Sequence, residues 1–100
     1  MEPKGYAFLF HALSDPTRVQ IVTLLTAEKQ CACQILSKVR VSQPTLSHHM
    51  RILCQAGLVV SEKNGRWVHY AIHEPMVQTM KDFLDSLGKA EPTLMGCPPK

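Results

Sequence analysis

No apolar run in this sequence approaches the roughly 20 residues that a bilayer-spanning helix needs. Its start, Met1-Glu2-Pro3-Lys4-Gly5, lacks the basic segment and apolar stretch of a secretion signal, so a cytoplasmic location is expected. Charge is sparse as well: 11 Lys and Arg against 8 Asp and Glu leave a net +3, which permits a nucleic-acid partner without demanding one. Internal repeats and low-complexity segments are absent. What is present is globular in character, with 45% hydrophobic and 19% charged residues. A chain of 100 residues has room for one domain with a modest core, a size at which oligomerisation often adds stability. Without a secretion signal, Cys31, Cys33, Cys54 and Cys97 are expected as thiols rather than disulfides, available for packing, metal binding or redox chemistry.

Tyr6, Leu9, Phe10 and Leu13 recur at helical spacing and predict a first helix ending near Ser14. Asp15-Pro16 restarts the chain as N-cap and N1 residue of a second helix to about Thr26. Val19, Ile21, Val22, Leu24 and Leu25 cover most of that helix, which is expected at the buried centre. A short helix over about Cys31 to Lys38 follows, with Ile35, Leu36 and Val39 turned inward. Ser42 then caps a fourth helix that has Pro44 in its first turn and Gly57 as its left-handed stop. Two helices joined by a tight turn make a helix-turn-helix outline. Beyond it, two β-forming runs flank Asn64-Gly65, a type I′ hairpin signal, and a hairpin in that place is a wing. Met76, Val77, Met80, Phe83, Leu84 and Leu87 form a broad stripe on a fifth helix ending near Gly88. The expected fold is mainly α with a β-hairpin wing, a winged helix-turn-helix over residues 1–88. Residues 89–100 are read as a flexible tail.

Leu46, Met50 and Leu53 set the core face of the fourth helix. Its remaining surface, Ser42, Gln43, Thr45, Ser47, His48, Arg51 and Gln55, carries almost only hydrogen-bonding side chains. Short donors and acceptors near a helix N-terminus suit base edges in a major groove, and a cation suits phosphate. Lys63 and Arg66 flank the wing turn, where they are placed to meet the backbone or a minor groove. Ser47 beside His48 is the sole superficial catalytic pair, and neighbours along a helix do not form a nucleophile–base dyad, so no enzyme is expected.

Ser14-Asp15-Pro16-Thr17-Arg18, Ser42 to Met50 (SQPTLSHHM), Ala56-Gly57-Leu58-Val59 and Gly65-Arg66-Trp67-Val68-His69-Tyr70 closely resemble, in order and spacing, the ArsR/SmtB family of metal-responsive repressors. The resemblance spans nearly all of Phe8 to Ile72. It implies a homodimer paired through its first and last helices, with Leu9, Phe10, Met80, Phe83, Leu84 and Leu87 at the interface. It further implies binding to double-stranded operator DNA without a cofactor, and release when an inducer binds.

Cys31-Ala32-Cys33 matches the Cys-x-Cys of arsenite-responsive members, which implies As(III) or Sb(III) as inducer. Soft ions select thiolates, and a helix N-terminus favours the thiolate form. Residues i and i+2 on a regular helix lie about 200° apart, so joint ligation is expected to unwind the first turn of the third helix and displace the fourth. Where arsenite sensors often carry a third thiol this chain has Leu36, which leaves Cys97, Cys54 or an exogenous thiol as third ligand, or an ion held by two sulfurs. Cys54 reads better as a packing residue. Zinc or nickel sensing on the last helix is disfavoured, since it offers Asp82 and Asp85 but no His. A dithiol redox or reactive-sulfur sensor, a cadmium- or lead-responsive repressor and a metal carrier are the alternatives.

Overall fold

The computed structural model describes residues 1–89, so the tail expectation, Cys97 included, lies outside the described residues but for Lys89. The elements run α1 (Pro3–Ala12), α2 (Pro16–Ala27), β1 (Gln30–Cys31), α3 (Ala32–Lys38), α4 (Gln43–Gln55), β2 (Val59–Asn64), β3 (Trp67–Ile72) and α5 (Glu74–Leu87). The helix starts follow from local chemistry. Asp15 Oδ2 accepts the Arg18 N–H at 3.1 Å and Ser42 Oγ accepts that of Thr45 at 3.3 Å, each ahead of a proline in the first turn. At the end of α4, Gly57 has φ +82°. Its N–H donates to Cys54 O, and that of Leu58 to Leu53 O, which is a Schellman stop.

Three features differ from the sequence expectation. First, α3 begins one residue later, because Cys31 is an extended N-cap, φ −78° and ψ 162°. Second, Gln30 and Cys31 form a strand that pairs with β3, opposite Tyr70 and His69, so the wing is a three-stranded antiparallel sheet in the order β1-β3-β2. Third, Asn64 pairs with Trp67 inside the ladder, which leaves Gly65-Arg66 as the two-residue loop. Gly65 alone has positive φ, at +66°, the pattern of a type II′ rather than a type I′ turn.

One core joins all five helices and the base of the wing, centred on Leu9, Ile21, Ile35, Leu53, Leu58 and Val59. Only part of α2 is buried. Ile21 and Leu25 share its inner face with Arg18, whereas Val19 is 44% exposed. On α5, Met80 enters the core and Phe83 stacks on Tyr6 of α1 at 4.1 Å between ring centroids. Leu84 and Leu87 stay exposed, beside an outer α1 surface that carries Phe8 and Phe10. No helix among the described residues is long and apolar enough to cross a membrane.

The two left-handed glycines differ in surroundings. A Cβ at Gly57 would stand 2.9 Å from Met76 Cε, whereas one at Gly65 meets nothing within 4 Å. Gly57→Ala is expected to lower the unfolding free energy in urea by about 1–2 kcal/mol, and Gly65→Ala by less. A larger loss at Gly65 would contradict this account of the α4 stop.

Candidate DNA interface and thiol site

The α3–turn–α4 unit presents one polar helix surface. Gln43, Thr45, Ser47, His48, Arg51 and Gln55 are all exposed, while Leu46, His49, Met50 and Leu53 are buried beneath them. Ser42 is exposed too, but its hydroxyl is engaged: it accepts the Thr45 N–H and donates to Thr45 Oγ1 at 2.9 Å. Its placement is that of a cap. Lys63 pairs with Val68 near the end of the hairpin and Arg66 sits in the loop, both exposed, so each cation stands at the wing tip.

Beneath this surface lies a polar link that the sequence reading missed. Arg18 is 6% exposed, and its Nε and one terminal nitrogen donate to Ala12 O at 2.8 Å and His11 O at 3.2 Å, carbonyls in the last turn of α1. Another guanidinium nitrogen lies 3.2 Å from His49 Nδ1 on α4. Asp15 lies 4.0 Å from His49 Nε2, and its carboxyl is held below the usual value chiefly by the hydrogen bond from the Arg18 amide, with burial opposing and the Arg18 charge assisting. The signal was present in the spacing: Arg18 shares a face with Ile21 and Leu25, and His49 shares one with Leu46, Met50 and Leu53.

The Cys31–Cys33 pair stands where β1 ends and α3 begins. Cys31 is buried and Cys33 exposed. Gln34 Oε1 accepts the Cys31 N–H at 2.8 Å and the Cys31 sulfur faces the Gln34 amide, a capping box with sulfur as the acceptor. Because Cys31 lies outside the helix, the 200° separation does not apply. Donation from Cys33 to a Cys31 thiolate is the main reason the Cys31 thiol is lowered below its ordinary value, and it raises Cys33 correspondingly. The pair therefore loses its first proton easily, from Cys31, and the expectation that ligation must unwind α3 is withdrawn. Leu36 is half-buried against the core, and burial pushes the Cys54 thiol up, as suits a packing residue. Among the described residues no three His, Cys, Asp or Glu side chains cluster closely enough to hold a metal ion, so this site offers two protein sulfurs.

The α1 and α5 positions divide in two. Leu9 and Met80 are spent in the protomer's own core, 1% and 8% exposed, and are unavailable to a partner. Phe10, Leu84 and Leu87 remain exposed and Phe83 half-buried.

A helix-turn-helix with an exposed polar second helix and a hairpin behind it defines a winged-helix transcriptional regulator, a DNA-binding architecture. The family model for bacterial regulatory proteins of the arsR family matches residues 15–61, from the cap of α2 into β2. An arsenical resistance operon repressor of Staphylococcus xylosus is 35% identical over 97 residues, covering 97% of this chain and 90% of the relative. An uncharacterised helix-turn-helix-type transcriptional regulator of Methanocaldococcus jannaschii is 39% identical over 82 residues, 81% of this chain and 92% of the relative. Among solved structures, an ArsR-like transcriptional regulator from Rhodococcus sp. RHA1 superposes with a TM-score of 0.78 at 32% identity, covering 85% of this chain and 80% of the other. The chain belongs to the ArsR family of transcriptional regulators, whose members are not enzymes.

The shared proton makes a direct prediction. In site-resolved alkylation by iodoacetamide, Cys33→Ala is expected to move the pH–rate midpoint of Cys31 upward, because its thiolate loses a donor. An unchanged midpoint would mean that the Gln34 amide, not Cys33, sets the Cys31 value.

Proposed function

We propose that this protein is a DNA-binding transcriptional repressor that leaves its operator when As(III) or Sb(III) binds Cys31 and Cys33. The observation that carries the reading is the pair of free cysteines at the start of α3, Cys31 at its N-cap and Cys33 in its first turn, one element ahead of the DNA-facing helix. Its similarity to arsenical resistance operon repressors supports the choice of ion. Bases are read by Gln43, Thr45, Ser47 and His48, Arg51 meets phosphate, and Lys63 and Arg66 hold the flanking backbone from the wing. Two copies pair through Phe10, Phe83, Leu84 and Leu87, which spaces the two α4 helices about one DNA turn apart. Residues 1–88 make up this DNA-binding and dimerising unit, it works in the cytoplasm, and it needs no cofactor to bind DNA.

Arsenous acid has three hydroxyls. Cys31 thiolate displaces one as hydroxide, and Cys33 displaces a second as water, its own proton leaving with the hydroxyl. Two As–S bonds form, two As–O bonds break and arsenic stays trivalent. The third position keeps its hydroxyl or exchanges it for an exogenous thiol, or for Cys97. Once bonded to arsenic, the Cys31 sulfur is a poor acceptor for the Gln34 amide, so the capping box opens. A lost cap typically costs a helix about 1 kcal/mol. Because Cys31 also pairs with His69 in β3, the same event pulls on the wing as well as on α3. DNA and ion then favour different arrangements of one junction, which is the condition for coupling.

An operator duplex titrated with reduced protein by anaerobic fluorescence anisotropy tests this. Arsenite is expected to release wild-type protein, and to leave Cys31→Ser and Cys33→Ser bound at concentrations at least about tenfold higher. Release by an oxidant or persulfide but not by arsenite would transfer the role to redox sensing, and absence of any specific DNA binding would overturn the reading.

A further inference from the structure

Among the described residues, Arg18 and His49 are the buried ionisable side chains outside the thiol site, and neither belongs to the exposed surface of α4. A guanidinium nitrogen only donates, so at 3.2 Å His49 Nδ1 must accept and the ring's proton sits on Nε2. That nitrogen is turned toward Asp15 Oδ2 at 4.0 Å. The charged and titratable groups facing the ring are Asp15 and Arg18 from α2 and His48 from its own helix, 6.0 Å away between centroids. From α1 come the His11 and Ala12 carbonyls, which act through Arg18. Arg18 is thus held in place by α1, and the neutral imidazole is what ties α4 to it.

From this arrangement we propose that Arg18 and His49 are positioning residues for DNA binding, with neutral His49 locking the inner face of α4 to the α1–α2 corner and protonation at Nδ1 releasing it. The inference rests on the reading of α4 as the DNA-facing helix. A proton on Nδ1 removes the acceptor and sets an imidazolium against a guanidinium. Arg18 keeps its two α1 carbonyls, so the ring gives way and turns its charge to Asp15. Because His49 lies next to His48 and two residues before Arg51, a shift of its backbone moves the outer face of the helix directly. DNA affinity therefore falls on acidification. Protonation of the exposed His48 acts the other way, since added positive charge strengthens phosphate binding.

The test uses a duplex that the wild-type protein selects from a randomised pool at about pH 8, with anisotropy at fixed salt down to about pH 5.5, the range in which histidine titrates. Three proteins are compared: wild type, His49→Asn and His48→Gln. An Asn side-chain oxygen accepts close to where Nδ1 does and does not titrate. His49→Asn is expected to bind within about threefold of wild type at the upper pH, and wild type to lose about tenfold relative to it on acidification, the direction that linkage requires when the DNA-binding state holds the ring unprotonated. His48→Gln retains that loss. Parallel pH profiles for wild type and His49→Asn overturn the proposal. Should His49→Asn fail to fold, ¹⁵N NMR of the His49 ring in the unaltered protein decides: a bare Nδ1 at about pH 8 is expected, and a protonated Nδ1 with bare Nε2 overturns the lock. Failure to select any duplex refutes DNA binding instead, while the ring measurement still judges the Arg18–His49 link.

Discussion

The buried guanidinium of Arg18 is the contact on which the arrangement of the DNA-facing half depends. A helix leaves its last carbonyls without intrahelical partners, and those of α1 are turned into the protein at the corner with α2. Arg18 satisfies the His11 and Ala12 carbonyls and extends the same fork to His49. One cation thereby fixes the end of α1, the start of α2 and the middle of α4, with no buried side-chain polar atom left unpaired among the described residues. An apolar side chain of similar size fills the volume but takes the donor from the Ala12 carbonyl, at a cost of about 1–3 kcal/mol, whereas the His11 carbonyl keeps the Ser14 amide and hydroxyl. That asymmetry explains a charge at this depth in so small a core.

Cys31 has a comparable position on the other side of the helix-turn-helix. It closes β1, caps α3 and pairs with the wing strand, so three local structures share one residue. Cys31 stands off the helix, so the angular separation of helical residues i and i+2 does not by itself hold its sulfur away from that of Cys33. In the proposed mechanism, coupling to DNA comes from what the Cys31 sulfur gives up, its place in the capping box with Gln34. Small energies suffice: allosteric coupling of about 1–3 kcal/mol changes affinity by roughly one to two orders of magnitude.

Most of the fold was legible because its punctuation is local. Asp15-Pro16, Ser42 with Pro44, and Gly57 each mark a helix end through hydrogen bonds within a few residues, and all three act as expected. The two-residue β1 was not legible, since its partners lie near residue 70 and two residues carry no periodicity. The hairpin turn moved by one residue because Asn64 and Trp67 complete the ladder, leaving Gly65 to supply the positive φ alone. Arg18 was passed over in favour of Val19 because hydrophobicity alone assigned the inner face of α2, whereas spacing places Arg18 with Ile21 and Leu25. The apolar stripe on α5 was correctly seen as wider than one core uses, but Leu9 and Met80 on these two helices belong to the protomer's interior. For the cysteines, a one-residue error in the start of α3 reversed the geometric conclusion.

The central claim is that ion and DNA compete for one junction, and linkage gives it a direct test. Arsenite affinity is measured by isothermal titration for the free, reduced protein and for the protein saturated with operator duplex. The account predicts weaker arsenite binding in the complex, by the same factor by which arsenite weakens DNA binding, because binding free energies are reciprocal. Equal arsenite affinity in the free and DNA-bound states would contradict it, and would leave Cys31 and Cys33 as a thiol pair without a voice in DNA binding.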